Sequence, residues 1–411
     1  MGTEEAIKSL EKQISFKDFK LHSLLEITKA INTNEPVDRL VNIFEYILRE
    51  QLGFRKFILF NHQDQWNCLL KVGFKGKVKD IHVDEDLKNF KDITLIESSY
   101  KKALNGFDVV VPVFHKDQPL AYLLIGDLDK EHYKLNNTIN NMTFIRTLAN
   151  IIVMAIENKK LANESLKQER VKKELEVAST MQRFLFPQTL PSDKKVDISA
   201  KYFSRHEIGG DYYDYFQLND DEFVICMADV SGKGIAAAML MANFQATVRT
   251  LFEYNRFPLK LLIHELNRKV MKNANGEKFI TFFVAEYSAS KRQLRYINAG
   301  HNYPILTDGK TAQYLDKGCV GLGMFDEIPT MEVQETIIRP NTTLCLYTDG
   351  VVELENSKGE QFETENLIKI IHSYYPLQME DLNEIIFSKL DTWRNQEEFV
   401  DDTAILSCRI F

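Results

Sequence analysis

Aspartates at the ends of apolar, strand-like runs are the groups in this sequence best suited to chemistry. They are Asp211 in "EIGGDYYD", Asp229 after "VICMA", Asp349 after "LCLYT", and Asp401 with Asp402 just before "TAILSCRI". Strand ends can bring such residues together at one edge of a sheet. Carboxylates that gather without basic neighbours repel one another, and their pKa values rise unless a cation lies among them. Hard oxygen ligands select Mg²⁺ or Mn²⁺, and pairs of these ions promote phosphoryl transfer.

A phosphate-binding loop is the alternative interpretation of the stretch "VICMADVSGKGIAAAML", which runs from Val224 to Leu240. A P-loop requires Gly, four residues, and then Gly-Lys-Ser/Thr. Here Gly234 follows Lys233, and no glycine occupies the required upstream position. The stretch is therefore not a P-loop, and we expect Asp229 itself to take part in the chemistry. One Asp-Gly turn alone would be an ordinary β-turn, whereas several acids in similar settings favour a metal site.

The composition is that of a globular protein with more than one domain. A chain of 411 residues suits two or three domains, and 44% of its residues are hydrophobic and 27% charged. The net charge of −8, without a long Lys/Arg run, argues against a nucleic-acid partner. Five separated cysteines favour a reduced, cytoplasmic protein over a disulfide framework or a zinc site. No apolar run has the length of a membrane span, so none is expected.

The N-terminal third of the chain is predicted to contain helices followed by strands. Residues 1–20 are expected to form a helical extension, and residues 21–156 a compact α+β domain. Apolar residues at three-to-four spacing predict helices between Leu21 and Leu52, and Asn34 is the expected N-cap of the second helix. Strands are predicted at Arg55–Phe60 and at residues 107–114.

This region resembles a GAF domain, a small-molecule sensor module. The resemblance rests on the order of elements, including a closing helix at Ile139–Ile156, and on the strand-turn-strand pattern "VVVPVFHKDQPLAYLLIGDL". It implies a small-molecule ligand for the domain. A ligand-free dimerisation or docking module remains the alternative.

Residues 157–187 are predicted to form a coiled-coil linker helix. One stripe at alternating four and three spacing consists of Val171, Leu175, Ala178, Gln182 and Leu185. Such a stripe requires a second helix, which predicts a homodimer, and the prolines at 187 and 191 end the helix before a new domain. A rigid spacer is the alternative interpretation.

Residues 188–411 resemble the metal-dependent, PPM-type serine/threonine phosphatases of the bacterial SpoIIE-like branch. The motifs are, in order, "EIGGDYYD", "ADVSGKGIAAAMLMA", "NAGHNYP", "YTDGVVE" and "DDTAIL", and "LEVASTMQRFLFPQTLP" resembles the linker that enters this domain. The resemblance implies an α-β-β-α sandwich of two antiparallel sheets. It also implies attack by a metal-activated water on phosphoserine or phosphothreonine, without a phosphoenzyme.

The resemblance implies roles for individual residues at two divalent cations, Mn²⁺ or Mg²⁺. Asp229 would bridge both ions, and the carbonyl of Val230 would complete one side. Asp349 and Asp401 would hold the second ion, and Asp211 would act near the first. Asp229 and Asp211 are thus the expected catalytic residues.

Four further residues have open roles. Asp402 follows Asp401 directly and could be the ligand instead. Asn298 and His301 could shape the edge of the site, although a structural histidine fits the motif equally well. Arg205 is the only arginine near the first acidic motif, where eukaryotic members use an arginine for the phosphate.

The expected function is dephosphorylation of a regulatory protein under control of the GAF-like domain through the linker. In the family branch the substrate is a STAS-type anti-sigma-factor antagonist, which an opposing serine kinase phosphorylates. The alternatives are a catalytically silent docking module and a metal phosphodiesterase.

Overall fold

The protein divides into two compact units, Met1–Gln168 and Glu169–Phe411. The structure, a computed structural model, describes residues 2–62, 65–96, 101–128, 135–254, 257–395 and 398–411.

The N-terminal unit contains an antiparallel sheet of five strands, in the order β2-β1-β5-β4-β3. The strands are β1 Lys56–His62, β2 Trp66–Val72, β3 Thr94–Leu95, β4 Val109–His115 and β5 Gln118–Gly126. The helices are α1 Gly2–Asn32, α2 Val37–Tyr46, α3 Val83–Asp86 and α4 Leu135–Arg183, with a π-helical turn at Ile47–Gln51 and 3-10 turns at Val78–Asp80 and Lys102–Leu104. The predicted strand-turn-strand pattern is the β4–β5 hairpin.

The sheet of this unit is buried on both faces. On one face α1, α2 and the first part of α4 pack through apolar side chains such as Ile27, Phe44 and Ile152. On the other face a smaller cluster includes Tyr122 and Leu87. The unit is therefore a compact mixture of helices and sheet, as the apolar spacing of its sequence predicts.

The start of α2 differs from the expectation. Asn34 is not the N-cap: it lies in the turn between the helices with φ 54, and Pro36 occupies the N-cap position. Proline has no backbone N–H to leave unsatisfied, and its fixed φ suits the residues that begin a helix. The turn uses Asn34 because asparagine adopts positive φ more readily than most residues.

Helix α4 is a single helix of 49 residues that joins the predicted closing helix to the predicted linker helix. It ends at Arg183, four residues before Pro187. Its side chains from 161 to 174 are all exposed, including Leu161 and Leu166. Within the predicted stripe Leu175 is partly exposed and Gln182 is buried, so Gln182 packs inside the C-terminal unit to which this part of the helix belongs.

The C-terminal unit contains two sheets, a six-stranded sheet in the order β13-β10-β9-β8-β7 with β14 beside β10, and a five-stranded sheet in the order β12-β11-β15-β16-β6. The strands are β6 Val196–Phe203, β7 Tyr212–Gln217, β8 Glu222–Val230, β9 Ile280–Ser288, β10 Gln293–Ala299, β11 Ile305–Thr307, β12 Ala312–Tyr314, β13 Gly318–Cys319, β14 Gln334–Ile337, β15 Thr342–Tyr347 and β16 Thr403–Ile410. The helices are α5 Ile235–Tyr254, α6 Leu259–Ala274, α7 Asp349–Val352, α8 Glu363–Ser373 and α9 Met379–Trp393.

The core of this unit consists of two clusters of buried apolar side chains. The larger cluster joins both sheets and the helices α5 and α6, with Val224, Phe282 and Leu406 among its members. A second cluster packs α8 and α9 against the five-stranded sheet through residues such as Leu367 and Ile405. Helices thus cover the outer faces of two sheets, which is the mixed α and β architecture that the resemblance implies.

Helix α5 is the single described helix whose length and apolar composition would suit a membrane span. It contributes Ala237, Met241, Phe244 and Val248 to the core between the sheets and helices. Its apolar character is therefore that of a core helix.

Candidate metal-dependent active site

The six-stranded sheet places Asp211 beside Asp229. Asp211 directly precedes β7, and Asp229 is the next-to-last residue of β8. These strands are antiparallel, with Tyr212 opposite Ala228, so the start of one strand adjoins the end of the other. The side chain of Asp211 is 1% exposed. The predicted carbonyl ligand, Val230, is the last residue of β8 and is also buried.

The five-stranded sheet places Asp349 beside Asp401 in the same way. Asp349 follows β15, Asp401 precedes β16, and these two strands are antiparallel neighbours. Gly350 lies so close to the second strand that a Cβ there would be 2.0 Å from the backbone oxygen of Asp402. Only glycine allows this approach, which accounts for the Asp-Gly pair in the motif.

Asp402 joins the two sheets. Its Oδ2 accepts a hydrogen bond of 2.7 Å from the backbone N–H of Gly210, and its Oδ1 accepts one of 2.8 Å from the backbone N–H of Arg205. Asp401 has different surroundings, because its Oδ2 lies 2.7 Å from the ammonium of Lys233. Both oxygens of Asp402 thus accept from backbone groups of other segments, whereas Asp401 accepts from the backbone N–H of Asp402 through Oδ1 and pairs with a side chain through Oδ2.

The acids of the two sheets act on one another's pKa values. Burial raises the pKa of Asp211 well above its ordinary value, and the charges of Asp229, Asp402 and Asp349 add to the effect. Burial, with the charges of Asp349 and Asp401, raises the pKa of Asp229 to about 7. Burial and Asp401 raise the pKa of Asp349 to about 6. Each carboxylate makes the ionisation of its neighbours more costly.

The donor chemistry of this cluster fits a divalent cation. The Oδ2 atom of Asp211 is buried and has no hydrogen-bond partner among the described residues. Among the residues that the structure describes, no group of three His, Cys, Asp or Glu side chains has the arrangement needed to bind one metal ion. Even so, clustered carboxylate oxygens are the ligands that Mg²⁺ and Mn²⁺ prefer, and positive charge would relieve their mutual repulsion.

Gln182 and Tyr202 lie against the Gly209 turn, a role that the pattern of the sequence does not predict for either residue. Gln182, near the end of α4, donates to the carbonyl of Gly209 at 2.7 Å and accepts from its N–H at 3.1 Å. A Cβ on Gly209 would lie 1.8 Å from the hydroxyl of Tyr202 and 2.5 Å from Oδ2 of Asp402. Burial, then the charges of Asp402 and Asp211, raises the pKa of Tyr202. The glycine turn is therefore held from both sides.

Two polar residues of the "NAGHNYP" motif have structural contacts. The Oδ1 of Asn298 accepts a hydrogen bond of 2.7 Å from the backbone N–H of His301. The Nδ1 of His301 lies 2.9 Å from the hydroxyl of Thr281, and burial lowers the pKa of this histidine to about 3. His301 is thus a neutral, buried residue that fixes its own loop.

Asp214, the second aspartate of "EIGGDYYD", also has a structural role. It is fully buried, and the guanidinium of Arg249 donates to its two oxygens at 2.8 and 2.9 Å. The hydroxyl of Tyr212 donates to the same carboxylate at 2.6 Å. This bidentate pair joins α5 to β7 and is separate from the acids described above.

Comparison with known proteins identifies the domain that carries Asp229, Asp349, Asp401 and Asp402. Residues 219–411 match the family described as Stage II sporulation protein E (SpoIIE). The chain carries a SpoIIE-family domain of the PPM (PP2C) phosphatase type. The solved SiaA-PP2C domain of Pseudomonas aeruginosa superposes with a TM-score of 0.54 at 21% identity, over 60% of this chain and 99% of that domain, and so has the same fold.

Two curated relatives of this SpoIIE-family domain are named phosphoserine phosphatases. RsbU of Bacillus subtilis is 30% identical over 226 residues, which cover 54% of this chain and 66% of RsbU. RsbP of the same organism is 24% identical over 242 residues, which cover 57% of each protein. The chain thus matches between about half and two thirds of the length of these relatives. Phosphatases of the PPM type depend on Mg²⁺ or Mn²⁺.

Proposed function

We propose that residues 188–411 form a metal-dependent protein phosphatase that hydrolyses phosphoserine or phosphothreonine on a regulatory protein. The observation that carries this proposal is the gathering of acids from both sheets at one end of a SpoIIE-family domain. The names of RsbU and RsbP as phosphoserine phosphatases support the same reaction.

In this proposal the acids hold two divalent cations, Mn²⁺ or Mg²⁺. Asp229 would serve both ions and the Val230 carbonyl would complete one side, while Asp349 and Asp401 would serve the second ion and Asp211 the first. Cations bound there supply an activated water and neutralise the charge of the phosphate. Asp211 directly precedes β7 and Asp229 lies near the end of the neighbouring β8, so their carboxylates would hold and orient a water supplied at that point.

The substrate is proposed to be a STAS-type anti-sigma-factor antagonist that an opposing serine kinase phosphorylates, in a cytoplasmic pathway. The remaining segments would control the reaction: a helical extension (1–20), a GAF-like sensor (21–156) and a coiled-coil linker (157–187) of a homodimer. The antiparallel sheet with helices on one face supports the sensor proposal, and a small molecule is its expected ligand.

The central test of this function is Asp229→Asn. Loss of the shared carboxylate should reduce turnover of a phosphorylated STAS protein by about two to four orders of magnitude, because metal-dependent stabilisation of the transition state is lost. Phosphate release with Mn²⁺ measures the effect, and Asp220→Asn, an exposed acid on the β7–β8 turn, is the matched control. Near-normal turnover of Asp229→Asn would contradict the site.

The alternatives give different results in the same experiment. A catalytically silent docking module would release no phosphate from any substrate at any Mn²⁺ concentration. A metal phosphodiesterase would prefer bis-nitrophenyl phosphate to nitrophenyl phosphate, whereas the proposed phosphatase should prefer the monoester.

A further inference from the structure

Lys233 is a cation placed directly against the acids. It lies in the loop between β8 and α5, and its ammonium is 2.7 Å from Oδ2 of Asp401 and 3.1 Å from the carbonyl of Val400. Its charge also acts on Asp349, whose pKa it lowers in opposition to the stronger effects of burial and Asp401. Lys233 thus lies on one side of the aspartate cluster that is proposed to bind the metal ions.

The loop that carries Lys233 has an unusual backbone. The glycines on either side of it, Gly232 and Gly234, have φ 87 and 75, which other residues rarely adopt. Ser231, which precedes Gly232, is held by two hydrogen bonds. Its carbonyl accepts from the ammonium of Lys278 at 2.9 Å, and its hydroxyl oxygen accepts from the backbone N–H of Phe279. The loop therefore directs Lys233 towards Asp401 from a defined base.

Arg205, the arginine nearest to the first motif, makes a different kind of contact. Its guanidinium donates to the carbonyl of Val400, and its backbone N–H donates to Asp402. Arg205 therefore fixes the backbone of the segment before β16. Lys233 differs because its charge faces carboxylates, and its side chain remains 41% exposed.

The ion pair between Lys233 and Asp401 is partly exposed, so another cation can replace the ammonium at low cost. Ion pairs with this degree of exposure contribute little to stability, and the four-carbon stem of lysine can adopt several orientations. A phosphomonoester dianion that approaches a cluster of carboxylates is repelled, so it needs positive charge at the edge of the cluster. An ammonium that leaves Asp401 when a cation binds there is available for a phosphate oxygen.

We propose that Lys233 holds Asp401 in the metal-free protein and contacts the substrate phosphate once metal has replaced it. This inference rests on the proposed phosphatase function, and it assigns to Lys233 the contact that an arginine makes in the eukaryotic members of the family.

The test compares wild-type protein with Lys233→Met, with Lys389→Met as the matched control on the exposed face of α9. Calorimetric titration with Mn²⁺ alone should show about two- to fivefold tighter binding to Lys233→Met, because a competing exposed ion pair is gone. Titration of the Mn²⁺-loaded proteins with inorganic phosphate should show about tenfold weaker binding to the same variant, since a charge-assisted hydrogen bond is lost. Lys233→Arg should retain most of the phosphate affinity, and Lys389→Met should match wild type.

Kinetics on nitrophenyl phosphate separate this role from a structural one. The contact predicts a raised KM for Lys233→Met with a smaller change in kcat. Phosphate affinity equal to that of wild type, or Mn²⁺ binding that becomes weaker, would overturn the proposal. Both titrations measure binding and need no turnover, so they give a result even if wild-type protein hydrolyses no phosphoprotein. Failure of the proposed function is therefore distinguishable from failure of this inference.

Discussion

Asp401 and Asp402 are consecutive acids whose different surroundings predict different effects of substitution. Asp401→Asn removes a carboxylate whose side-chain contact among the described residues is the exposed ion pair with Lys233, while its Oδ1 can still accept from the backbone N–H of Asp402. It should therefore raise the Mn²⁺ dissociation constant about tenfold or more with little loss of stability. Asp402→Asn weakens two backbone hydrogen bonds, one of which joins the two sheets through Gly210, so it should lower the free energy of unfolding by about 1–3 kcal/mol. Calorimetry and chemical denaturation measure the two effects.

Excess Mn²⁺ provides the control for this pair. It should restore much of the activity of Asp401→Asn but not the stability of metal-free Asp402→Asn. If Asp402→Asn proved to have the weaker metal affinity at unchanged stability, the two assignments would be exchanged.

The raised pKa of Asp229 predicts how stability depends on pH in the absence of metal. The pKa of this carboxyl is about 7 in the folded protein and has its ordinary value in the unfolded chain. Its ionisation therefore destabilises the folded state by an amount that grows from about pH 4 to about pH 7 and is constant at higher pH. Asp229→Asn removes this cost. In EDTA the variant should therefore be more stable than wild type by about 1–3 kcal/mol at pH 8, with a smaller difference at pH 5.

Urea denaturation at the two pH values measures this difference. Saturating Mn²⁺ should reverse the order of stability, because the ion stabilises wild-type protein by binding the ionised cluster. Equal stability of the two proteins at pH 8 in EDTA would show that Asp229 lies outside the repelling cluster.

At the scale of the secondary structure, the end of α4 is attached to the site through Gln182. Gln182→Ala preserves helix propensity but leaves the N–H and the carbonyl of Gly209 without their partner. We expect a loss of about 1–3 kcal/mol in stability and a several-fold weaker affinity for Mn²⁺, because the adjoining Gly210 turn holds Asp402. Thermal unfolding and Mn²⁺ titration test this.

Gln168→Ala, an exposed position on the same helix, is the control for Gln182→Ala. Mn²⁺ affinity that stays at the wild-type value in Gln182→Ala would mean that the helix end supports the fold alone. A change in both properties would connect α4 to the acids.

Elements with a strong local pattern could be predicted from the sequence. The β9–β10 hairpin and the β4–β5 hairpin follow from apolar runs separated by turn residues. The acids could be placed at strand ends because each of them adjoins an apolar run in the sequence. The same local reasoning selected Asp211, Asp229 and Asp349 as candidate site residues, and their role at a metal stays a prediction.

Contacts between distant segments could not be predicted. Gln182 was interpreted as part of an outward stripe, yet it packs on Gly209, 27 positions away. The partners of Lys233 are 167 and more positions away. Tyr202 lies within an ordinary strand, and only the fold reveals the acids beside its hydroxyl. Such roles depend on tertiary packing, which residue spacing does not encode.

At the scale of the whole molecule, α4 is the element that contributes residues to both units. The boundary between the units, Gln168/Glu169, falls within this helix. Ile145 and Ile152 belong to the core of the N-terminal unit, and Gln182 belongs to the C-terminal unit. A continuous helix can transmit a change at one end to the other, and coupling of this kind needs only about 1–3 kcal/mol of difference between two arrangements.

The last prediction concerns a homodimer through the exposed length of α4. Val171 is 46% exposed and Leu175 partly exposed, and Val177 and Met181 on an adjoining face are more than half exposed. A second copy of the helix would cover such side chains, and a charge placed among them would be desolvated without a partner. Leu175→Glu should therefore shift the protein from dimer to monomer and change its phosphatase activity.

Sedimentation equilibrium at micromolar concentration, together with turnover, measures both consequences. Thr180→Glu adds the same charge at an exposed position on another side of α4, so it should leave the dimer intact. A wild-type monomer, or a Leu175→Glu dimer with unaltered turnover, would leave α4 as a spacer. Dissociation with changed turnover would instead connect helix pairing to the acids, because the same helix holds Gly209 through Gln182.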